Sequence, residues 1–290
     1  MVVDLAVASD GPTRRRLQRH LPPHGIAVHH LPVGAGIEEI GAVEVPGHRQ
    51  FDVGFVYPAR TVEGDVITAS LDLPWVNDRS DILTTRNKAG ALSRLEGAGI
   101  PIPRTIHVSS PADEEAVIDA YQTFDGPVVL KPNTTTKGIG HVLLRDIDSL
   151  RGVVDYIDLI HSFPATRDRS FLLQEYLPEA RDLRLTLLDG TVAGAVERRL
   201  DDDGEGAWVK NVHRGATAAS IKPPEDAIDL AESAADQLDI AILGVDIMLG
   251  EDGPVVLEVN ARPTIDQVEK YGSDFYDRLA SLIKATAAEP

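Results

Sequence analysis

Hydrophobic and polar positions alternate along this chain with two periods, one suited to strands and one to helices. An apolar run over 2–8, closed by Ser9-Asp10-Gly11-Pro12, predicts a strand and a turn, and 14–20 then predicts a helix. Further strands are predicted near 26–31 and 51–57, which suggests a small open α/β sheet. A short apolar run around Trp75 leads into a helix over about 82–97. Gly99-Ile-Pro-Ile-Pro-Arg-Thr105 cannot be helical, because each proline lacks an N–H and biases the residue before it toward extended backbone. It reads as the approach to a new domain.

Beyond it the pattern predicts a helix (111–121), a strand (128–131), a polar loop (132–140), a strand (141–144), a helix (147–161) and a strand (171–175). Two hairpin arms, 183–188 and 191–199, join at Asp189-Gly190, and 201–206 is a polar loop. A helix over 224–238 precedes a last hairpin, and a final helix runs over 275–287. Strands and helices alternate without strict βαβ repetition and without an internal repeat, so the class is α/β or α+β with several subdomains.

Composition narrows what such a fold can do. A length of 290 residues predicts two domains or one large divided one. The formal charge of −18 repels nucleic-acid backbone and anionic membrane, so neither is an expected partner, and an anionic ligand must meet a locally basic pocket. The chain has 29 Asp against 17 Glu and 21 Arg against 7 Lys. Short carboxylates and few lysines suit a halophile, because concentrated salt screens the self-repulsion of so acidic a surface. Zero cysteines exclude disulfides, thiolate metal sites and cysteine nucleophiles. The N-terminus lacks a basic segment ahead of its apolar run, and the most apolar internal stretch, 238–249, is far below the ~20 residues that span a bilayer. A soluble, cytoplasmic protein is expected.

Three segments carry candidate chemistry. In the last hairpin Glu258 and Asn260 are two apart on a strand and share a face. If Glu251-Asp252-Gly253 is a three-residue loop, position 250 pairs with 254, and Asp246 then lies opposite Glu258. Opposed carboxylates destabilise a sheet unless a cation sits between them, and three hard oxygen ligands suit Mg²⁺ held against a nucleotide. The alternative is a solvated hairpin face, although Asp, Glu and Asn are poor strand formers. Second, Lys131 ends an apolar strand, where a lysine is costly unless it meets an anion. The loop after it supplies Thr134 to Thr136, Lys137, Gly138 and Gly140, the parts of a phosphate cradle without Walker A spacing. Third, an apolar strand runs into Gln174-Glu175, where backbone and a carboxylate could read an adenine edge and a ribose hydroxyl.

Taken in order, these segments resemble the ATP-grasp superfamily, and within it the RimK-like glutamate ligases; the resemblance to glutathione synthetases is more distant. It runs from about Asn77 to Glu269 and is carried by Arg86-Asn-Lys88, Gly99-Ile-Pro-Ile-Pro-Arg-Thr105, Pro127 to Lys131 with Lys137-Gly-Ile-Gly140, and Gln174-Glu-Tyr176. Asp182-Leu-Arg184, Glu197-Arg-Arg199, Asn211-Val-His-Arg-Gly215 and Gly244-Val-Asp246 through Glu258-Val-Asn260 complete it. The resemblance implies an ATP-grasp fold: an N-terminal α/β domain over 1–84, then an ATP-grasp domain over 85–290 divided into a lid subdomain (about 105–176) and a metal-binding subdomain (about 177–290). It implies that Lys88 and Lys131 hold ATP phosphates, that Lys137, Gly138 and Gly140 belong to a lid over the triphosphate, and that Gln174, Glu175 and Tyr176 bound the adenine with Asp182 near the ribose. Asp246, Glu258 and Asn260 match its magnesium ligands, with manganese as a substitute. Arg199, Asn211 and Arg214 fall where such ligases gather charge around the transferred phosphate.

The implied reaction is ATP-driven amide formation: a carboxylate attacks the γ-phosphate, and an amine displaces phosphate from the acyl phosphate. Positioned cations, more than a protein nucleophile, carry such chemistry. Two departures touch the acceptor side. Asn260-Ala-Arg262-Pro-Thr stands where these ligases have Asn-Ser-Ser-Pro-Gly, so Arg262 adds a cation able to grip a carboxylate. Val209-Lys210-Asn211 replaces the usual Arg-Ser-Asn, so either Lys210 or Arg262 takes over from the missing arginine, or the acceptor differs. The leading expectation is a ligase joining an amino acid, glutamate first, to a small or peptide acceptor, assembling as a dimer or tetramer if at all. A small-molecule kinase on the same fold and a nucleotide-binding regulator without catalysis are the alternatives.

Overall fold

The computed structural model describes residues 2–9, 11–32, 50–71, 73–109, 112–136, 138–160, 169–200, 216–262 and 264–289. The chain begins as expected with β1 (Val3–Val7), α1 (Pro12–His20), β2 (Ile26–His30) and β3 (Val53–Phe55). The strands form a parallel sheet in the order β2-β1-β3. Its apolar side does not close on itself. Leu5, Val7, Leu17, Val53 and Phe55 share one core with Phe275, Leu279 and Ile283 of the last helix, α8 (Phe275–Ala287).

Three helices follow: α2 (Thr61–Leu71), α3 (Arg79–Arg86) and α4 (Lys88–Gly97). The sequence pattern does not announce α2, whose run mixes β-branched residues with a glycine and has no clean apolar face. The single helix expected over 82–97 is two. Asn87 leaves helical geometry (φ −79°, ψ 85°) and its side chain accepts the Gly90 N–H at 3.1 Å, capping α4. A reciprocal Asp78–Asp81 capping box starts α3.

A four-stranded antiparallel sheet comes next. It comprises β4 (Thr105–Val108), β5 (Val128–Pro132), β6 (Val142–Leu144) and β7 (Phe171–Glu175), ordered β4-β7-β5-β6. Helices α5 (Glu114–Gln122) and α6 (Ile147–Ile160) cover one face, burying Val128, Leu130, Leu144 and Leu173. The last sheet is antiparallel and five-stranded: β8 (Arg181–Leu188), β9 (Thr191–Arg199), β10 (Thr217–Ser220), β11 (Ile242–Gly250) and β12 (Gly253–Asn260), ordered β10-β9-β8-β11-β12.

One face of this sheet, with Leu183, Leu185, Leu187, Val245 and Ile247, packs on α7 (Glu225–Leu238) and on α3 and α4. The small residues Ala227, Ala231 and Ala234 let α7 approach closely. The boundary drawn at residue 84 therefore falls inside α3, whose Ile82 belongs to the core of the five-stranded sheet. Asn77 stitches the same junction: its carboxamide donates to the carbonyls of Ile242 (2.7 Å) and Ala261 (2.5 Å) and accepts the Ile242 N–H (3.0 Å). Among the described residues no helix is long and apolar enough to cross a membrane.

Candidate active site

The site lies on the other face of the five-stranded sheet, and two β-bulges decide which side chains reach it. In the last hairpin Gly250 pairs with Gly253, so the turn holds two residues, Glu251 and Asp252, instead of the expected three. Gly253 takes φ +106°, a conformation that favours glycine. Unbroken pairing from that turn would set Asp246 against Leu257. Leu257 is instead an extra residue between the pairs Ile247–Val256 and Asp246–Glu258. The bulge restores the facing carboxylates, and Asn260 follows on the same face.

The preceding hairpin repeats the device. Across its Asp189-Gly190 turn Leu187 pairs with Val192, but Thr186 pairs with Gly194, leaving Ala193 as the extra residue. Asp182 consequently faces Arg198, not Glu197. Strand alternation then puts Asp182, Arg184, Arg198, Asp246 and Glu258 on one face and Arg199 on the opposite one. Arg199 was the arginine expected at the reaction centre. Its side chain is 71% exposed and pairs with Glu197 at 3.0 Å. Hydrogen bonds from Arg181 and Arg199 hold the Glu197 carboxyl at a pKa of about 2.

Around Asp246 the charges interlock. Arg184 Nη1 lies 3.0 Å from Asp246 Oδ1, and Arg198 Nη2 lies 3.2 Å from Oδ2 and 2.6 Å from Asp182 Oδ1. Burial alone would favour the neutral Asp246 acid; Arg184 and Arg198, helped by Lys131, override it and hold the carboxyl below its ordinary range. Gly244 makes room for this pairing, since a Cβ there would come within 2.7 Å of Arg184 Nη2. Glu258, directly opposite, has no hydrogen bond or ion pair with any described residue. Among the described residues Asn260 Oδ1 accepts only the Arg262 N–H (2.8 Å). Glu258 and Asn260 thus carry unused oxygen lone pairs beside Asp246, a donor set that fits a hard divalent cation.

The lysines come from the elements opposite. Lys131 of β5 is buried and donates to Gln174 Oε1 on β7, while Gln174 Nε2 donates to Thr105 Oγ1 at 2.9 Å. Gln174 therefore points inward as the lysine's anchor. Burial lowers the Lys131 pKa to about 8 against the opposing charge of Glu258. Lys88, the first residue of α4, donates to the Thr135 carbonyl and is lowered by burial in the same way. Asn133 docks the loop after β5 on that helix start, accepting the Ala89 N–H (2.9 Å) and donating to Asn87 Oδ1 (3.0 Å).

These groups line two cavities that share Arg198, Asp246 and Glu258. One, about 770 Å³ with its open mouth, runs between the two antiparallel sheets past Lys131, Gly138, Gln174, Glu175, Tyr176, Asp182 and Met248. The other, about 1750 Å³ on the same measure, includes Arg86, Lys88, Thr135, Arg184, Asn260, Arg262 and Asp266. Gly140 has φ +78° and lies against Pro132, at the far end of the loop. Lys137, Lys210, Asn211 and Arg214 lie outside the described residues.

Residues 85–283 match the RimK-like ATP-grasp domain family. The chain belongs to this family. A probable alpha-L-glutamate ligase of Citrobacter koseri is 35% identical over 217 residues, which cover 73% of this chain and 68% of that protein. A ribosomal protein bS6–L-glutamate ligase of Escherichia coli is 34% identical over 199 residues, 67% of this chain and 62% of that protein. Among solved structures, a RimK-domain ATP-grasp protein of Sphaerobacter thermophilus superposes with a TM-score of 0.72 at 22% identity, over 97% of this chain and 99% of that one.

Within this RimK-like frame, sequence reasoning missed Arg184, Arg198 and Asn133. Arg184 was within reach: it is two residues from Asp182 on one strand, the spacing that paired Glu258 with Asn260. Arg198 was not, because nothing local in the β9 sequence marks Ala193 as a bulge.

Proposed function

We propose that this RimK-like chain is an ATP-dependent carboxylate–amine ligase that adds glutamate, or a similar amino acid, to a small-molecule or peptide carboxylate in the cytoplasm. The observation that carries the reading is the convergence of Lys88, Lys131, Arg184 and Arg198 on a cleft floored by Asp246 and Glu258, in a chain whose surface is otherwise strongly acidic. Buried lysines with lowered pKa values gain most from a polyanion, which returns the stabilisation that burial removed. In this reading they grip the ATP phosphates, with Gln174 holding Lys131 in place. Met248 and Leu257 supply apolar walls on the side of Gln174, Glu175 and Tyr176, suited to a purine.

Asp246, Glu258 and Asn260 would hold Mg²⁺, which when bound neutralises phosphate oxygens. Arg184 and Arg198, fixed by Asp246 and Asp182, present rigid donors where the two cavities meet, and there they stabilise the charge of the transferring phosphoryl group and of the acyl phosphate. The substrate carboxylate attacks the γ-phosphorus and ADP leaves; the amine then attacks the acyl carbon, phosphate departs, and the amine proton passes to solvent. The amino-acid donors enter from the larger cavity.

The test is a screen of amino acids against carboxylate acceptors for phosphate release, with mass spectrometry of the product. Amine-dependent ADP release with an amide product supports the ligase. A phosphorylated product formed without amine would establish the kinase alternative.

A further inference from the structure

Helix α1 and its surroundings carry charge of the sign that the rest of the chain avoids. Residues 11–37 contain no Asp or Glu, a run of 27 positions in a chain with 46 acids among 290 residues, and the longest such run in it. The next longest, 126–145, holds Lys131 and the loop after it. Arg14, Arg15, Arg16 and Arg19, four of the 21 arginines, fall within the nine residues of α1. The run is formally +4, which leaves −22 on the remainder of the chain.

This placement works against the helix itself. The partial positive charge at a helix N-terminus favours Asp or Glu in the first turn, and α1 has no acid there and arginines from its third residue onward. Arg15 and Arg19, four apart, share one outward ridge, and like charges at that spacing repel. Both side chains are exposed and make no hydrogen bond or ion pair with a described residue, while Thr13 and Leu17 bury the opposite side. The ridge therefore contributes nothing to the stability of α1.

Its position connects it to the site. Arg16, next to Arg15, donates to the Ile265 carbonyl (2.7 Å) and lies 3.5 Å from Asp266, a residue of the larger cavity wall. The Ala8 carbonyl, three residues before the Gly11 N-cap, accepts Nη2 of Arg262 (3.4 Å), which lines the same cavity. The first turn of α1 thus stands at the edge of the cleft.

We infer that Arg15 and Arg19 form an exosite for an acidic segment of a polypeptide acceptor, a few residues before the carboxylate that enters the larger cavity. This rests on the ligase reading and extends it to a surface outside the cleft. Each exposed guanidinium fork matches an Asp or Glu carboxylate. A short acidic segment also fits better than nucleic acid. Nine helical residues span only ~14 Å, and a duplex with one charge per ~1.7 Å would run past them onto surface that repels phosphate.

The probe is a fluorescein-labelled hexa-aspartate with an amidated C-terminus, which the ligase reaction cannot extend. Hexa-asparagine amide and hexathymidylate are the controls. Fluorescence anisotropy is recorded on the full chain saturated with AMP-PNP and Mg²⁺ at low ionic strength, where exposed charges are least screened. Hexa-aspartate is expected to bind more tightly than either control. Arg15→Gln/Arg19→Gln should weaken it roughly ten-fold, the scale for losing two exposed charge contacts, and Arg15→Glu/Arg19→Glu should weaken it further. Neither variant should melt below the wild type by more than a degree or two, since both remove a repulsive pair. Arg94→Gln/Arg145→Gln takes the same charge from exposed arginines of α4 and of the turn after β6, and should leave binding within about two-fold of wild type. Absent binding, equal losses in the two Gln double variants, or tighter binding of hexathymidylate would overturn the exosite. So would a dimer in sedimentation that Arg15→Gln/Arg19→Gln dissociates, because the ridge would then belong to a second copy of the chain. Failure of the ligase reading has a different signature: hexa-aspartate binds as expected, but no amide forms in the substrate screen.

Discussion

Asp246 and Glu258 face each other across one pair of strands, yet they should respond differently to neutralisation in the absence of metal. Asp246 is buried between Arg184 and Arg198. In Asp246→Asn, Arg198 keeps Asp182 at 2.6 Å, but Arg184 loses its only ion pair among the described residues. The Arg184 side chain is 22% exposed and is wedged against Gly244. Removing one partner of a buried pair costs about 3–5 kcal/mol, and this partial exposure sets the expectation at the lower end, about 3 kcal/mol. With a urea m-value of about 3 kcal/mol/M, the midpoint falls by about 1 M. Glu258→Gln removes a carboxylate without a hydrogen bond or ion pair to a described residue; the relieved repulsion across the strand pair offsets the lost attraction to the buried Lys88 and Lys131, so its midpoint should stay within about 0.2 M of wild type. Circular dichroism during urea titration in EDTA measures both. Adding Arg184→Met to Asp246→Asn should recover much of the loss, because the uncompensated charge goes with it. An Asp246→Asn midpoint equal to or above wild type would refute the reasoning, since Asp246 would then be a carboxylate waiting only for metal.

Other outcomes follow from the same geometry. Arg198→Ala should lower kcat by roughly 10²–10³, the scale for losing one preorganised donor, while Arg199→Ala on the far face stays within a few-fold; the reverse order would invalidate the β9 register. Because burial sets the Lys131 pKa at about 8, the free protein should hold this lysine mostly protonated at pH 6.5 and about three-quarters neutral at pH 8.5. ATP favours the charged form, so binding at pH 8.5 should take up roughly 0.7 proton and at pH 6.5 close to none. Calorimetry in buffers of different ionisation enthalpy reads this directly, and equal uptake at both pH values would exclude Lys131 as the group. Finally, the −18 charge and the Asp-over-Glu bias predict a melting temperature that rises with KCl toward the molar range; unfolding there would count against adaptation to salt.

Much of the fold was legible because period and punctuation agree. The final helix appears over the expected residues, and the strands around Lys131 and Gln174 carry clear apolar runs. Helix α2 was not legible, because its run has no apolar face of its own. The break at Asn87 was missed because one capping side chain sits inside a continuous helical pattern. Asp246 was paired correctly with Glu258 for an incorrect reason: the assumed three-residue loop and the real two-residue turn with its Leu257 bulge shift the register by the same single residue.

The sequence by itself determined which residue types are available: an acidic chain without cysteine, a lysine at the end of an apolar strand, and Asp, Glu and Asn where strands would prefer Val. It also determined the order of elements, and through that order the family. Only the tertiary structure decided which of two neighbouring arginines enters the site, and that Arg86 and Arg262, 176 positions apart in sequence, line one cavity. The physical reason is parity. A strand has a side-chain period of two, so one extra residue such as Ala193 exchanges its faces, and the cost of that bulge is set by neighbouring strands and helices rather than by the residues that form it.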